Sequence, residues 1–260
     1  MKKLLLLILV IGFSFHNLSA SHVIGGSITV NHLSGFQYQI STELYRDAGG
    51  IGLPPKIQLE FYDRVTMTLL DTLDLNRISI DTVKSEYEGC TGTLIVIEKH
   101  KYEMFFESGT TIVNSPNGTI VRWTTCCRNG GVVNVQNSSS AGMTFLTLLP
   151  PTRDANLNPI INNSPVFEPF YAENICHGQL YEQDFGATDP DGDSLSFVLY
   201  SPFEDNNLSQ GIVTNLSSPY PDPSTQCSPI TWENCYDENN QINGITDSAC
   251  NLSNEPDRLK

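Results

Sequence analysis

Short runs of strictly alternating apolar and polar side chains, with almost no helical periodicity between them, set the strongest limit on how this chain can fold. Phe36, Tyr38, Ile40, Thr42 and Leu44 fall on one face of an extended segment, and Gln37, Gln39, Ser41 and Glu43 fall on the other. Successive strand side chains point to opposite sides, so the pattern describes a strand with one face buried and one in water. Ile57, Leu59 and Phe61 repeat it, and residues 93–97 form a denser apolar strand. Val121, Trp123, Thr125 and Cys127 share a face of the next, and Met143 to Leu149 closes the series before Pro150-Pro151. Turn-forming clusters separate these runs: Ala48-Gly49-Gly50, Ser115-Pro116-Asn117-Gly118 and Asn129-Gly130-Gly131. Short strands at this spacing predict an all-β sandwich or barrel, and residues 21–150 suffice for one core.

Residues 150–166 are polar and rich in Asn and Pro. They predict a linker over 151–161, between a β-sandwich over 21–150, which the resemblance given below makes Ig-like, and a second module over 162–260. The second module offers strand candidates at Gln179 to Phe185 and Ser194 to Tyr200, but after Pro202 the chain is polar with little strand pattern. The second sandwich is therefore expected to be incomplete within this sequence, with further domains following in a longer chain.

Residues 1–20 read as a signal peptide. Lys2 and Lys3 precede an apolar run from Leu4 to Phe13, and Ala20 offers a small residue before a cut at Ser21. The apolar run is short for a membrane span, and no second run of spanning length follows. The mature chain is expected to be secreted or displayed on a cell surface. Its charge is uneven: residues 21–150 carry net −3 and residues 151–260 net −14. That sign excludes nucleic acid and anionic membrane as partners.

All seven cysteines lie beyond the signal peptide, and export makes disulfides the leading reading. No Cys-x2-Cys pair exists to suggest zinc. Cys127 shares a face with Val121 and Trp123, so it is expected to point inward and bond Cys90 across the core. Cys126 then faces out as the odd thiol or pairs with another segment, with a vicinal Cys126–Cys127 disulfide or redox pair as the alternative. Cys176 is expected to bridge to Cys227, Cys235 or Cys250 and so staple the strand-poor tail.

The stretch Gly186 to Phe197 alternates Asp189, Asp191 and Asp193 with Pro190 and Gly192 and then enters an apolar alternation. Carboxylates so spaced on a tight turn can converge on Ca²⁺, which takes six to eight oxygens in irregular geometry. A solvated acidic turn uses the same residue types. The spacing is not that of an EF-hand.

Five motifs carry a family resemblance. Ser21-His22-Val23-Ile24-Gly25-Gly26-Ser27-Ile28, Leu44-Tyr45-Arg46-Asp47, Cys126-Cys127-Arg128-Asn129, Asn162-Asn163-Ser164-Pro165-Val166-Phe167 and Ala187 to Leu195 follow in that order. In order and spacing the chain resembles the N-terminal region of large secreted Bacteroidota surface proteins. These carry Ig-like and PKD-type repeats and often end in a gliding-motility-associated or type IX sorting domain. Ala48 departs from that pattern, which has Cys after the Leu-Tyr-Arg-Asp. The second segment is also similar to a cadherin-type repeat. That resemblance implies Ca²⁺ ligands at Asp189, Asp191 and Glu173, with Asn163 at the module junction and Asp193 in addition. Cadherins place Asp where Asn163 stands, so the ligand charge is lower.

No Gly-x-Ser-x-Gly, His-Glu-x-x-His or phosphate loop occurs. The expected function is a non-catalytic extracellular structural or adhesion module whose partner is a surface glycan or protein, with Ca²⁺ stiffening the junction. A carbohydrate-binding module is the alternative, with Trp232 as the candidate sugar platform and Trp123 assigned to the core. Arg128-Asn129 reads as the entry to a turn.

Overall fold

A computed structural model of the chain describes residues 22–83, 95–107, 115–168, 185–204, 229–239 and 241. Seven strands form one antiparallel sheet: β1 (Val23–Ser34), β2 (Gln37–Asp47), β3 (Lys56–Asp63), β4 (Leu69–Val83), β5 (Ile97–Glu107), β6 (Thr119–Thr125) and β7 (Met143–Leu149). Their order is β1-β2-β5-β4-β3-β6-β7, and the sheet rolls until it is nearly closed. The all-β expectation holds in this form, with the main sheet wrapped around the largest core.

The alternation of β2 works as its pattern requires. Tyr38, Ile40 and Leu44 are buried and face inward, opposite Phe106, Met104 and His100 of β5. Ile57, Leu59 and Phe61 of β3, Leu75 of β4, Tyr102 of β5, Val121 and Trp123 of β6 and Met143 of β7 complete the core. Trp123 stacks on Phe145 with ring centroids 5.8 Å apart. Where β1 meets β7, a close approach replaces a ladder. A Cβ on Gly26 would lie 2.7 Å from the Glu43 carbonyl oxygen, 2.8 Å from Leu44 Cδ2 and 3.4 Å from the Phe145 ring. Only glycine fits there.

Three strands, β1, β4 and β5, were not visible as alternations. β4 and β5 carry Arg77, Glu98 and His100 on inward positions, in register with the core residues. Of the apolar run expected as a strand over 93–97, residues 93 and 94 lie outside the described residues, Ile95 and Val96 are exposed, and β5 begins at Ile97.

At the end of the roll where β3 closes, Asp63 organises the turn into β4. Its Oδ1 accepts the Val65 and Thr66 backbone N–H groups at 2.9 and 2.8 Å, and its Oδ2 accepts the Ser115 hydroxyl at 2.6 Å. Burial works against the charge, but these hydrogen bonds outweigh it and hold the Asp63 carboxyl at a pKa of about 2.

The predicted linker lies against the sheet. The Tyr38 hydroxyl donates to the Ile160 carbonyl, and Arg153 stacks over the Phe36 ring at 4.2 Å. Beyond it, β8 (Val166–Phe167) and β9 (Ala187–Thr188) form a two-residue antiparallel ladder. Ser194 to Tyr200, expected as a strand, has no ladder among the described residues, and Phe197, Val198 and Leu199 are exposed. Residues 179–184, the rest of the other strand candidate, lie outside the described residues.

The candidate functional site: an acidic junction and a disulfide-bearing end

The acidic turn meets the rolled sheet through one residue. Asn163 Oδ1 accepts the His32 backbone N–H at 2.8 Å, on the edge of β1 that β2 does not use. The Asn163 amide Nδ2 donates to Asp191 Oδ1 at 2.8 Å, and the Asn163 backbone N–H donates to Asp191 Oδ2 at 2.6 Å. The next residue continues the docking: the Val30 N–H donates to Ser164 Oγ at 2.9 Å, and the Ser164 N–H donates to the Val30 carbonyl at 3.0 Å. These contacts cover part of an otherwise unpaired strand edge.

Asp189 shapes the turn itself. Its Oδ1 accepts the N–H groups of Asp191 and Asp193 at 2.8 and 3.2 Å, and Gly192 takes φ +82° between them. A side chain bonding its own backbone two residues on is an Asx turn, and the positive φ explains the glycine. As donors for Ca²⁺, Asp189, Asp191, Asp193 and Asn163 are chemically suitable hard oxygens. Their arrangement is closed by N–H donors instead, and among the described residues no three His, Cys, Asp or Glu side chains converge on one point. Glu173 lies outside the described residues. The Asn163 departure from the cadherin pattern has a physical reading: an aspartate there could not donate its side chain to Asp191, whereas the amide can.

At the opposite end of the roll, charged side chains fill the interior. Glu98 Oε2 accepts Arg46 Nε at 2.9 Å and lies 3.0 Å from His100 Nε2, and Arg77 Nη1 lies 3.3 Å from His100 Nδ1. His100 is 2 % exposed. Burial pushes its imidazole pKa down, the charges of Arg77 and Arg46 push the same way, and Glu98 opposes them. The cluster fastens the connection from β2 to β3. Arg46 Nη1 donates to the Gly50 carbonyl at 2.9 Å, Arg77 Nη1 to that of Leu53 at 2.9 Å, and the Tyr102 hydroxyl to that of Pro54 at 2.7 Å. Hydrogen bonds from charged donors to a loop backbone are among the stronger kinds, so this loop has a fixed shape.

Immediately after β6, Cys126 and Cys127 are joined to each other by a disulfide. This corrects two expectations: Cys127 does not pair with Cys90, and Cys126 is not the odd thiol. The reason is local, because β6 ends at Thr125 and the face alternation of a strand does not extend to the pair. Cys126 is exposed and Cys127 half-buried. Cys235 is disulfide-bonded as well. Cys90, Cys176, Cys227 and Cys250 lie outside the described residues.

Arg128 follows the pair and does more than enter a turn. Its Nη2 donates to the Phe203 carbonyl at 3.1 Å, while Asn129 supplies the expected turn by accepting the Gly131 N–H. Thr144 of β7 also donates its N–H to the Phe203 carbonyl. Val135, Ala141 and Ile230 form a small core beside β7, with Val132 and Trp232 packed on it. Trp232 is half-buried and its indole N–H donates to Ser201 Oγ at 2.9 Å. Its ring packs in part on this core. Trp123, 7 % exposed, sits in the core as its alternation required.

No protein-family model matches the chain, and neither the curated proteins nor the solved structures contain a match.

Proposed function

We propose that this chain is a non-catalytic extracellular structural or adhesion module. It belongs to a longer surface protein of the gliding-motility-associated kind that its motifs resemble, with an Ig-like unit followed by a cadherin-like one. The observation that supports this reading is Asn163, whose side chain ties the β1 backbone at His32 to the Asp191 carboxylate. A spacer or adhesin must keep the direction of successive units, and a residue bonded to both does that. The carboxylates at 189, 191 and 193 are part of the proposal as hard-oxygen donors that Ca²⁺ would draw together with Glu173.

The test is thermal unfolding of residues 21–260 with 2 mM calcium and with chelator, for the wild type and Asp189→Ala/Asp191→Ala. A ligand that binds only the folded state raises the midpoint. The proposal expects a calcium-dependent rise that the double variant loses, and a lower midpoint for the variant even in chelator. Superimposed wild-type curves would remove calcium from the account. A variant as stable as the wild type in chelator would remove the junction.

A further inference from the structure

A pocket of about 460 Å³ opens between the β2–β3 connection and the end of β6. Leu53, Pro54, Gln58, Thr124, Thr125 and Cys126 line it, with the largely buried Trp123 among its further walls. Pockets of small-molecule sites run from roughly 300 to 1,000 Å³ and combine apolar walls with a few polar groups. This one lies in that size range, and its lining mixes apolar residues with polar ones in about equal measure.

Three features make it a built surface and not a gap. First, the Leu53–Pro54 wall is held from beneath by half-buried Arg77 and buried Tyr102, each donating to a backbone carbonyl of those two residues. A wall fastened in advance loses little entropy when a ligand arrives. Second, the exposed Cys126 belongs to a ring closed by its own peptide link and the bond to Cys127. Two flexible thiols are thereby replaced by one rigid, polarisable, apolar face that cannot donate a hydrogen bond. Third, the pocket's lysine is paired at the surface. Lys56 Nζ lies 2.7 Å from the Asp74 carboxylate, which also accepts the Gln58 side-chain amide.

We propose that this pocket binds a neutral saccharide. A sugar ring offers an apolar C–H face and a rim of hydroxyls, which is the complement of a disulfide and Leu53–Pro54 wall edged by Gln58, Thr124 and Thr125. The one charged side chain of the lining, Lys56, is paired with Asp74, so the pocket offers no unpaired cation to the carboxylate or phosphate of uronates, sialic acids and phosphosugars. The inference rests on the reading of the chain as a binding module without catalysis, and it assigns that module a ligand class and a site. It is independent of calcium.

The test uses residues 21–260 with disulfides intact, screened on an array of neutral and acidic glycans, then titrated calorimetrically with the best neutral oligosaccharide. Cys126→Ala/Cys127→Ala removes the ring, and Gln58→Ala, on an exposed strand position, removes a polar contact without touching the core. Near-ultraviolet circular dichroism checks the fold of each variant. The expected result is binding to neutral glycans that weakens by about tenfold or more in the cysteine variant and several-fold in Gln58→Ala. No neutral glycan bound at millimolar concentration, or binding that both variants keep, would overturn the site. If the cysteine variant does not fold, Gln58→Ala alone decides. Mass spectrometry of the bound oligosaccharide separates the two readings: cleavage would overturn the non-catalytic module while leaving the saccharide site in place.

Discussion

Replacing Asp63 by Asn removes one negative charge from the turn that joins β3 to β4 and leaves its shape nearly unchanged. The native carboxyl sits at a pKa of about 2, against an ordinary value of 3.8. The residue is 7 % exposed, so solvent screens little of the interaction. At 1.36 kcal/mol per pH unit, that gap amounts to about 2 kcal/mol of folding stability. The sign follows from the depressed folded value. The contribution is fully present above about pH 4, where the unfolded carboxyl is ionised, and is lost as pH falls through about 2. Urea unfolding of wild type and Asp63→Asn at a series of pH values measures it directly. At pH 7 the variant should be less stable by about 2 kcal/mol or somewhat more, because Ser115 and the Val65 and Thr66 amides also lose a charged acceptor. The difference between the two proteins should shrink steadily as pH falls from 4 to 2. A difference of the same size at pH 7 and pH 2 would refute the reasoning, since it would show that the charge contributes nothing.

Other perturbations probe separate parts of the structure. Gly26→Ala places a methyl group 2.7 Å from the Glu43 carbonyl and should lower stability by roughly 1–3 kcal/mol in thermal or urea unfolding. Leu59→Ala, at a fully buried core position, should cost about 2–5 kcal/mol by the same measurement. His100 has a folded pKa below its unfolded one, so its contribution is present above about pH 6.5 and is lost as pH falls below that value. A urea series from pH 7.5 to 5 should show the loss, and His100→Gln should flatten it. Arg128→Ala frees the Phe203 carbonyl of one of its two donors, and hydrogen exchange should speed up at Thr144 and Ile230 while the β2 and β5 amides keep their protection.

Where burial follows hydropathy, the fold was legible in the residues. β2, β3, β6 and β7 show their inner faces as Tyr, Ile, Leu, Phe, Val and Trp at every second position, and the structure buries those side chains. β5 hid because its inward series starts Glu98, His100, and only then turns to Tyr102. An ion cluster that shields its own charges looks, in sequence, like a solvated face. β1 hid for another reason: Gly25 and Gly26 carry no side chain to alternate, since the latter makes room for Phe145. The acidic junction was legible in composition but not in partnership. The turn chemistry of Asp189 and Gly192 could be read locally, whereas the pairing of Asn163 with Asp191 joins residues 28 positions apart. The disulfide between neighbours stood only as an alternative, because the alternation was carried to Cys127, two residues past the end of β6. Arg128 was missed as a clamp, since its acceptor is a backbone carbonyl 75 residues away, which no side-chain pattern reveals.

The central claim is that Asn163 and Ser164 lock the segment that carries the acidic turn onto the edge of β1. Native-state hydrogen exchange of residues 21–260, read at single amides by NMR, tests it most directly. The acceptors for the Val30 and His32 N–H groups are the side chains of Ser164 and Asn163. The account predicts that both amides are protected in the wild type, and that Asn163→Ala abolishes protection at His32 while interior β2 amides are unaffected. Exchange of Val30 and His32 at the rate of an open edge strand in the wild type would contradict it.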